Sequence, residues 1–156
     1  LEMLTKEYDI ISFKFCFPYS KVLPEDGNPD LESEVKTISN YKLQYNALRE
    51  KMHEFPDTRF LVWTGAALIE GHTTPEEAKR AEEINSWVKN SWDIPGDNIE
   101  IFDFRKIETG GGLYLLPEYS VGINDSHPNI KVSKLAATEF AALIIEMAQN
   151  IFNNKQ

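Results

Sequence analysis

Arg59-Phe60-Leu61-Val62-Trp63-Thr64 is the stretch on which the fold turns. Its four central residues are apolar without alternation, the pattern of a strand covered on both faces, as in a parallel sheet. Upstream, Ile10-Ile11-Ser12-Phe13-Lys14-Phe15-Cys16-Phe17 is a second β-branched and aromatic run, ended by Pro18 and read as a mostly buried strand. A loop rich in Pro, Asp, Gly and Asn covers Lys21 to Pro29. Leu31, Val35, Ile38, Tyr41, Tyr45, Leu48, Met52 and Phe55 then recur at gaps of three and four, which predicts one helix from Leu31 to Phe55, stopped by Pro56-Asp57.

Downstream, Thr74-Pro75-Glu76-Glu77 combines an N-cap hydroxyl, a proline at the first helical position and a glutamate able to reach back. The helix it opens runs through Ala78, Ala81, Ile84, Val88 and Trp92 to a turn at Pro95-Gly96. Ile99 to Asp103 is the third strand, residues 105–131 read as irregular, and a last helix carries Val132, Ala136, Phe140, Leu143, Ile144, Met147 and Ile151 on one side. Strands alternating with helices give an α/β fold with a short parallel sheet, and no linker or repeat divides residues 1–156, so one domain is expected. Three strands are few for such a fold. Either Leu113 to Leu116 hides another, or one belongs ahead of Leu1.

Composition narrows the partners. Of 156 residues 42% are hydrophobic and 26% charged, as in an ordinary globular protein, and the net charge is −9. So acidic a surface repels phosphate backbones, so nucleic acid and anionic membranes are not expected as partners. Cys16 is the only cysteine and rules out an intrachain disulfide. No uninterrupted apolar run nears the ~20 residues of a membrane span, and the first residues lack the pattern of a signal peptide. A soluble chain follows from this; its compartment does not.

The sequence has three histidines. His53, near the end of the long helix, reads as a surface residue, and His72, after the second strand, as a loop residue. His127 stands in Asn124-Asp125-Ser126-His127-Pro128-Asn129, just before the last helix. A general-base histidine needs one ring nitrogen toward the reacting hydroxyl and the other fixed by an acceptor, commonly an aspartate. Asp125 can supply that acceptor; the plainer reading is a turn with a side-chain cap opening the helix.

These residues carry a resemblance. The strand Tyr8-Asp9-Ile10-Ile11, the Phe55-Pro56-Asp57-Thr58 entry to Phe60–Thr64, Asn98 to Phe104, and above all Asp125-Ser126-His127-Pro128-Asn129 resemble the SGNH (GDSL-like) hydrolases, serine esterases and deacetylases. The resemblance implies a flavodoxin-like three-layer sandwich, with His127 as base and Asp125 as its orienting carboxylate. It implies hydrolysis of a carboxylic ester, plausibly an acyl group on a carbohydrate, with no cofactor. The chain also departs from the family pattern. Asn124 holds the place three before the histidine where the family carries its aspartate, and the family's oxyanion glycine and asparagine are not evident.

The Gly-Asp-Ser-like motif that bears the family's nucleophile is absent too. The nucleophile and its strand would then come from a longer polypeptide or from a partner chain, and this chain alone should be inactive. The alternative is a noncatalytic ligand-binding or assembly domain of the same fold. Ser20 is the nearest local substitute nucleophile, though a Pro-Tyr-Ser turn is its plainer reading, and Cys16 reads as an inert core thiol. Gly110-Gly111-Gly112 lacks the context of a phosphate loop and reads as a flexible loop near the site. No His, Cys or Asp grouping has metal-ligand spacing. Trp63, Trp87 and Trp92 could stack on sugars if exposed, but read as core or rim.

Overall fold

The strand at Arg59–Trp63 is the middle one of three. In the computed structural model, which describes residues 1–16 and 20–154, β1 (Ile10–Phe13), β2 (Arg59–Trp63) and β3 (Ile99–Phe102) form a parallel sheet of order β1-β2-β3. Ile11 lies beside Phe60 and Phe60 beside Ile99. The alternation of the pleat sends Phe60 and Val62 to one face, against Tyr45, Met52, Ile84, Val88 and Trp92 of the helices α1 (Ile38–His53) and α2 (Pro75–Trp87) with its π-helical continuation Val88–Trp92. Leu61 and Trp63 go to the other face. There they meet Phe104 of α3 (Phe104–Thr109) and Ala136, Phe140 and Met147 of α4 (Ile130–Asn154).

The expected parallel sheet in a mixed α/β chain is therefore present. Thr74 and Glu77 form a complete capping box at the start of α2. Trp92 is fully buried and donates its indole N–H to the Tyr45 carbonyl at 2.8 Å, which removes it from any role in sugar stacking. In α4, Val132, Ala136 and Met147 are buried, whereas Leu135, Ile145 and Phe152 stay exposed. By length and composition this helix is apolar enough to cross a membrane, although one side of it packs on the sheet.

Four expectations are corrected. The long helix begins at Ile38, not Leu31, and Leu31 and Val35 are exposed. Thr37 caps the helix, and Asn40 and Gln44 reach back to the Val35, Leu31 and Ser33 carbonyls, so side chains satisfy groups that a longer helix would have paired. β1 ends at Phe13 and is an edge strand, half-buried; Lys14 to Cys16 lie beyond it, and Phe17 falls outside the described residues. Leu113 to Leu116 is not a strand. The segment expected to be irregular holds α3 and an antiparallel hairpin of β4 (Ser120–Gly122) and β5 (Asp125–Pro128), and Gly110, at φ 62°, terminates α3 in the left-handed conformation that glycine favours.

Candidate functional site

The segment after β2 carries the site's first wall, and backbone donors and acceptors fix its path. The Thr64 hydroxyl accepts from the Arg105 N–H at 2.9 Å and donates to Asp103 at 3.2 Å. The Gly65 N–H donates to the Asn85 side chain at 2.6 Å and the Ala67 N–H to Glu108. Leu68 accepts at its carbonyl from the Leu115 N–H, and the Ile69 N–H donates to the Ser126 hydroxyl at 3.2 Å. Held in this way, the chain turns through Glu70–His72 and sets His72 Nδ1 3.1 Å from Ser126 Oγ.

The second wall is the β4–β5 hairpin. Asn129 fixes its base: the side-chain NH2 donates to the Glu118 and Ser120 carbonyls, while Oδ1 accepts from the Lys131 and Val132 N–H groups at the start of α4. The hairpin then presents Asp125 and His127. One oxygen of Asp125, Oδ1, accepts from the His127 backbone N–H at 2.8 Å and lies 2.6 Å from His127 Nδ1. The backbone N–H, then the side-chain hydrogen bond, hold the Asp125 carboxyl below the ordinary carboxylate range. An ionised Asp125 accepts the Nδ1 proton of a neutral His127, which leaves Nε2 as the basic nitrogen.

Between the walls is an open cleft of about 700 Å³, lined by Lys21, Gly71, His72, Asn124, Asp125 and His127. The expected pair thus shares a hydrogen bond and a cleft, and Asp125, two residues before the histidine, supplies the oxygen. His127 stands on a strand and not in a helix-opening turn; Asn129 makes the cap. Ser20 is buried and its hydroxyl donates to the Ala66 carbonyl, so it is not presented as a nucleophile. Cys16 is exposed, contrary to the core position expected, because β1 ends before it. His53 Nε2 pairs with Asp97 at 2.9 Å at the far end of α1. Trp63 is half-buried, its indole N–H donating to Ser12 at 2.9 Å.

His72 is the residue that sequence reasoning missed. Nothing in Glu70-Gly71-His72-Thr73 announces a partner 54 positions away, and only its place after a central strand pointed to the cleft. Glu108 was missed too. It is fully buried, burial pushing its carboxyl up to about 8, with Oε2 lacking a hydrogen-bond partner among the described residues. Comparison with protein-family models, with curated proteins and with solved structures finds no match for this chain.

Proposed function

We propose that this chain carries the general base and its orienting carboxylate of an SGNH-like serine hydrolase that cleaves a carboxylic ester, an acyl group on a carbohydrate. The observation that carries the reading is the 2.6 Å contact of His127 Nδ1 with an ionised Asp125 at the rim of a cleft. A serine from outside this chain attacks the ester carbonyl while His127 Nε2 takes its proton. The imidazolium then gives that proton to the departing sugar oxygen, leaving an acyl-serine. Water attacks the acyl-serine by the same base, and the acid and the free serine are released. The flavodoxin-like arrangement is part of the same proposal, supported by adjacent parallel strands with helices on both faces. In the family the strand bearing the serine is central in the sheet. Here β1 pairs directly with β2 and β2 with β3, so such a strand, from a longer polypeptide or from a partner chain, would have to add at the outer edge of β1.

The test is hydrolysis of sugar esters, acetyl and longer straight-chain acyl alike, by the natural full-length polypeptide. His127→Asn is expected to lower kcat about 10⁴-fold, as loss of a triad function does. Unchanged hydrolysis would sink the reading. One observation favours a noncatalytic binding domain instead: the His127 side chain is 67% exposed, more open than a base shielded from water. In that case no ester is cleaved, and His127→Asn alters ligand affinity alone.

A further inference from the structure

Beside the His127 cleft lies a second cavity, of about 480 Å³. Ile69, Leu113, Leu115, Leu116, Pro117 and Ile123 give it apolar walls. Two of its hydroxyl groups are engaged: Thr109 donates to the Arg105 carbonyl at 2.7 Å, and Ser120 to the Gly122 carbonyl at 2.5 Å. What remains for a ligand is mainly apolar surface, bordered by Glu70 and Tyr114. Gly71 lines both this cavity and the His127 cleft, and the hairpin gives Gly122 and Ile123 to the one, Asn124 and Asp125 to the other. Ile123 is 93% exposed at the tip, an apolar side chain with nothing over it.

We propose that this cavity receives the acyl chain of the ester, and that the chain is a straight one of medium length rather than an acetyl group. The assignment rests on the hydrolase reading above for the ester itself. A cavity of ~150 Å³ lined by apolar side chains already holds a benzene ring, so about 480 Å³ has room for roughly four to eight carbons. Length follows from position: an acetyl methyl stands one bond from a carbonyl at His127, in the cleft, whereas the second cavity shares only Gly71 with that cleft. Charge selects the ester over the free acid, because Glu70 lies in the lining and the chain carries a net charge of −9.

Gly71 offers a clean test. Its φ is not in the left-handed region, and a Cβ built there meets nothing within 4 Å, so a larger side chain adds bulk where the two cavities share a lining residue without straining the backbone. Neutral methyl hexanoate and methyl acetate are titrated into the chain, following the methyl resonances of Leu113, Leu115 and Ile123. Methyl hexanoate is expected to bind at least about tenfold more tightly, by the burial of its additional methylenes. Gly71→Leu and Ile123→Asp, the latter at an exposed tip where folding is not at stake, should each weaken it about tenfold. Equal Kd values for the two esters, or hexanoate binding untouched by both cavity variants, would overturn the assignment. Selective binding in a protein whose full-length form shows no His127-dependent hydrolysis keeps the cavity and removes the hydrolase.

Discussion

Ser126 Oγ lies 3.1 Å from His72 Nδ1 and at the same time accepts the Ile69 N–H at 3.2 Å. The hydroxyl has one proton and two acceptor positions, of which Ile69 fills one, so it donates to a His72 protonated on Nε2 and accepts from one protonated on Nδ1. Where Ser126 is the donor, a neutral His72 carries its own proton on Nε2. With the Ser126 proton directed at Nδ1, His72 and His127 are set in opposite senses within one cleft, Nε2 being a donor on the first and an acceptor on the second.

Ser126→Ala removes both bonds of that hydroxyl and leaves the Ile69 N–H in a buried position without its acceptor. The expected loss of stability is about 1–3 kcal/mol, read from the urea midpoint. The ¹⁵N shifts of His72 should change from a single tautomer to a mixture. A pure Nε2–H tautomer in the variant would show that Ser126 does not set it.

Asp125→Asn tests the other half of the site. An amide at this position can still accept the His127 backbone N–H, so folding should be little affected. It no longer stabilises an imidazolium, and hydrolysis by the full-length protein should fall about 10³- to 10⁴-fold. The pH sense follows from the depressed carboxyl. Whatever stability the Asp125 contacts supply is present above the ordinary carboxylate range and is lost as pH falls through the lower folded value. The Asp125→Asn variant should lack that acid limb.

Glu108 gives a pH dependence of opposite sign. Burial raises its carboxyl to about 8 from an ordinary 4.5, against the lowering influence of the Ala67 N–H and Arg105. Between those two values the folded chain holds a proton that the unfolded chain has released, so stability falls as pH rises through the window. Below 4.5 its contribution is complete, and above about 8 it is gone. Glu108→Gln keeps an acceptor for Ala67 and has nothing to ionise. Its urea midpoint should decline less from pH 5 to pH 8 than the parent's; equal slopes would place the titration elsewhere.

What the sequence discloses is what periodicity and local capping encode. Phe60 to Trp63 shows its double burial in an unbroken apolar run, and Thr74-Pro75-Glu76-Glu77 states its own helix start. Residues 31–37 mislead because their apolar spacing suits a helix, while the side chains of Thr37, Asn40 and Gln44 hold an irregular path in its place. The hairpin is illegible for a related reason. Gly122, Asp125 and Pro128 have no preference for strands, and Ser120 and Asn129 hold them through side-chain bonds. Asp125 and His127 were legible because they are near neighbours in sequence, whereas His72 needed the folded chain to bring it to Ser126.

Asn129 joins the hairpin to α4, and two substitutions separate its duties. Asn129→Ala abolishes the N-cap and both donations to the hairpin, for an expected cost of roughly 2 kcal/mol. Asn129→Asp keeps an oxygen for the Lys131 and Val132 N–H groups, and a negative charge at a helix N-terminus is favourable in itself. By capping alone it should be neutral. The second carboxylate oxygen, however, would then face the Glu118 and Ser120 carbonyls where an NH2 now donates at 2.8 and 2.9 Å. Asn129→Asp is therefore expected to be destabilising by about 1–2 kcal/mol, with the amide shifts of Ser120 and His127 moving and those of Lys131 and Val132 staying near the parent values. A variant as stable as the parent, with unmoved hairpin shifts, would mean that Asn129 serves the helix alone and that something else holds Asp125 and His127 at the cleft.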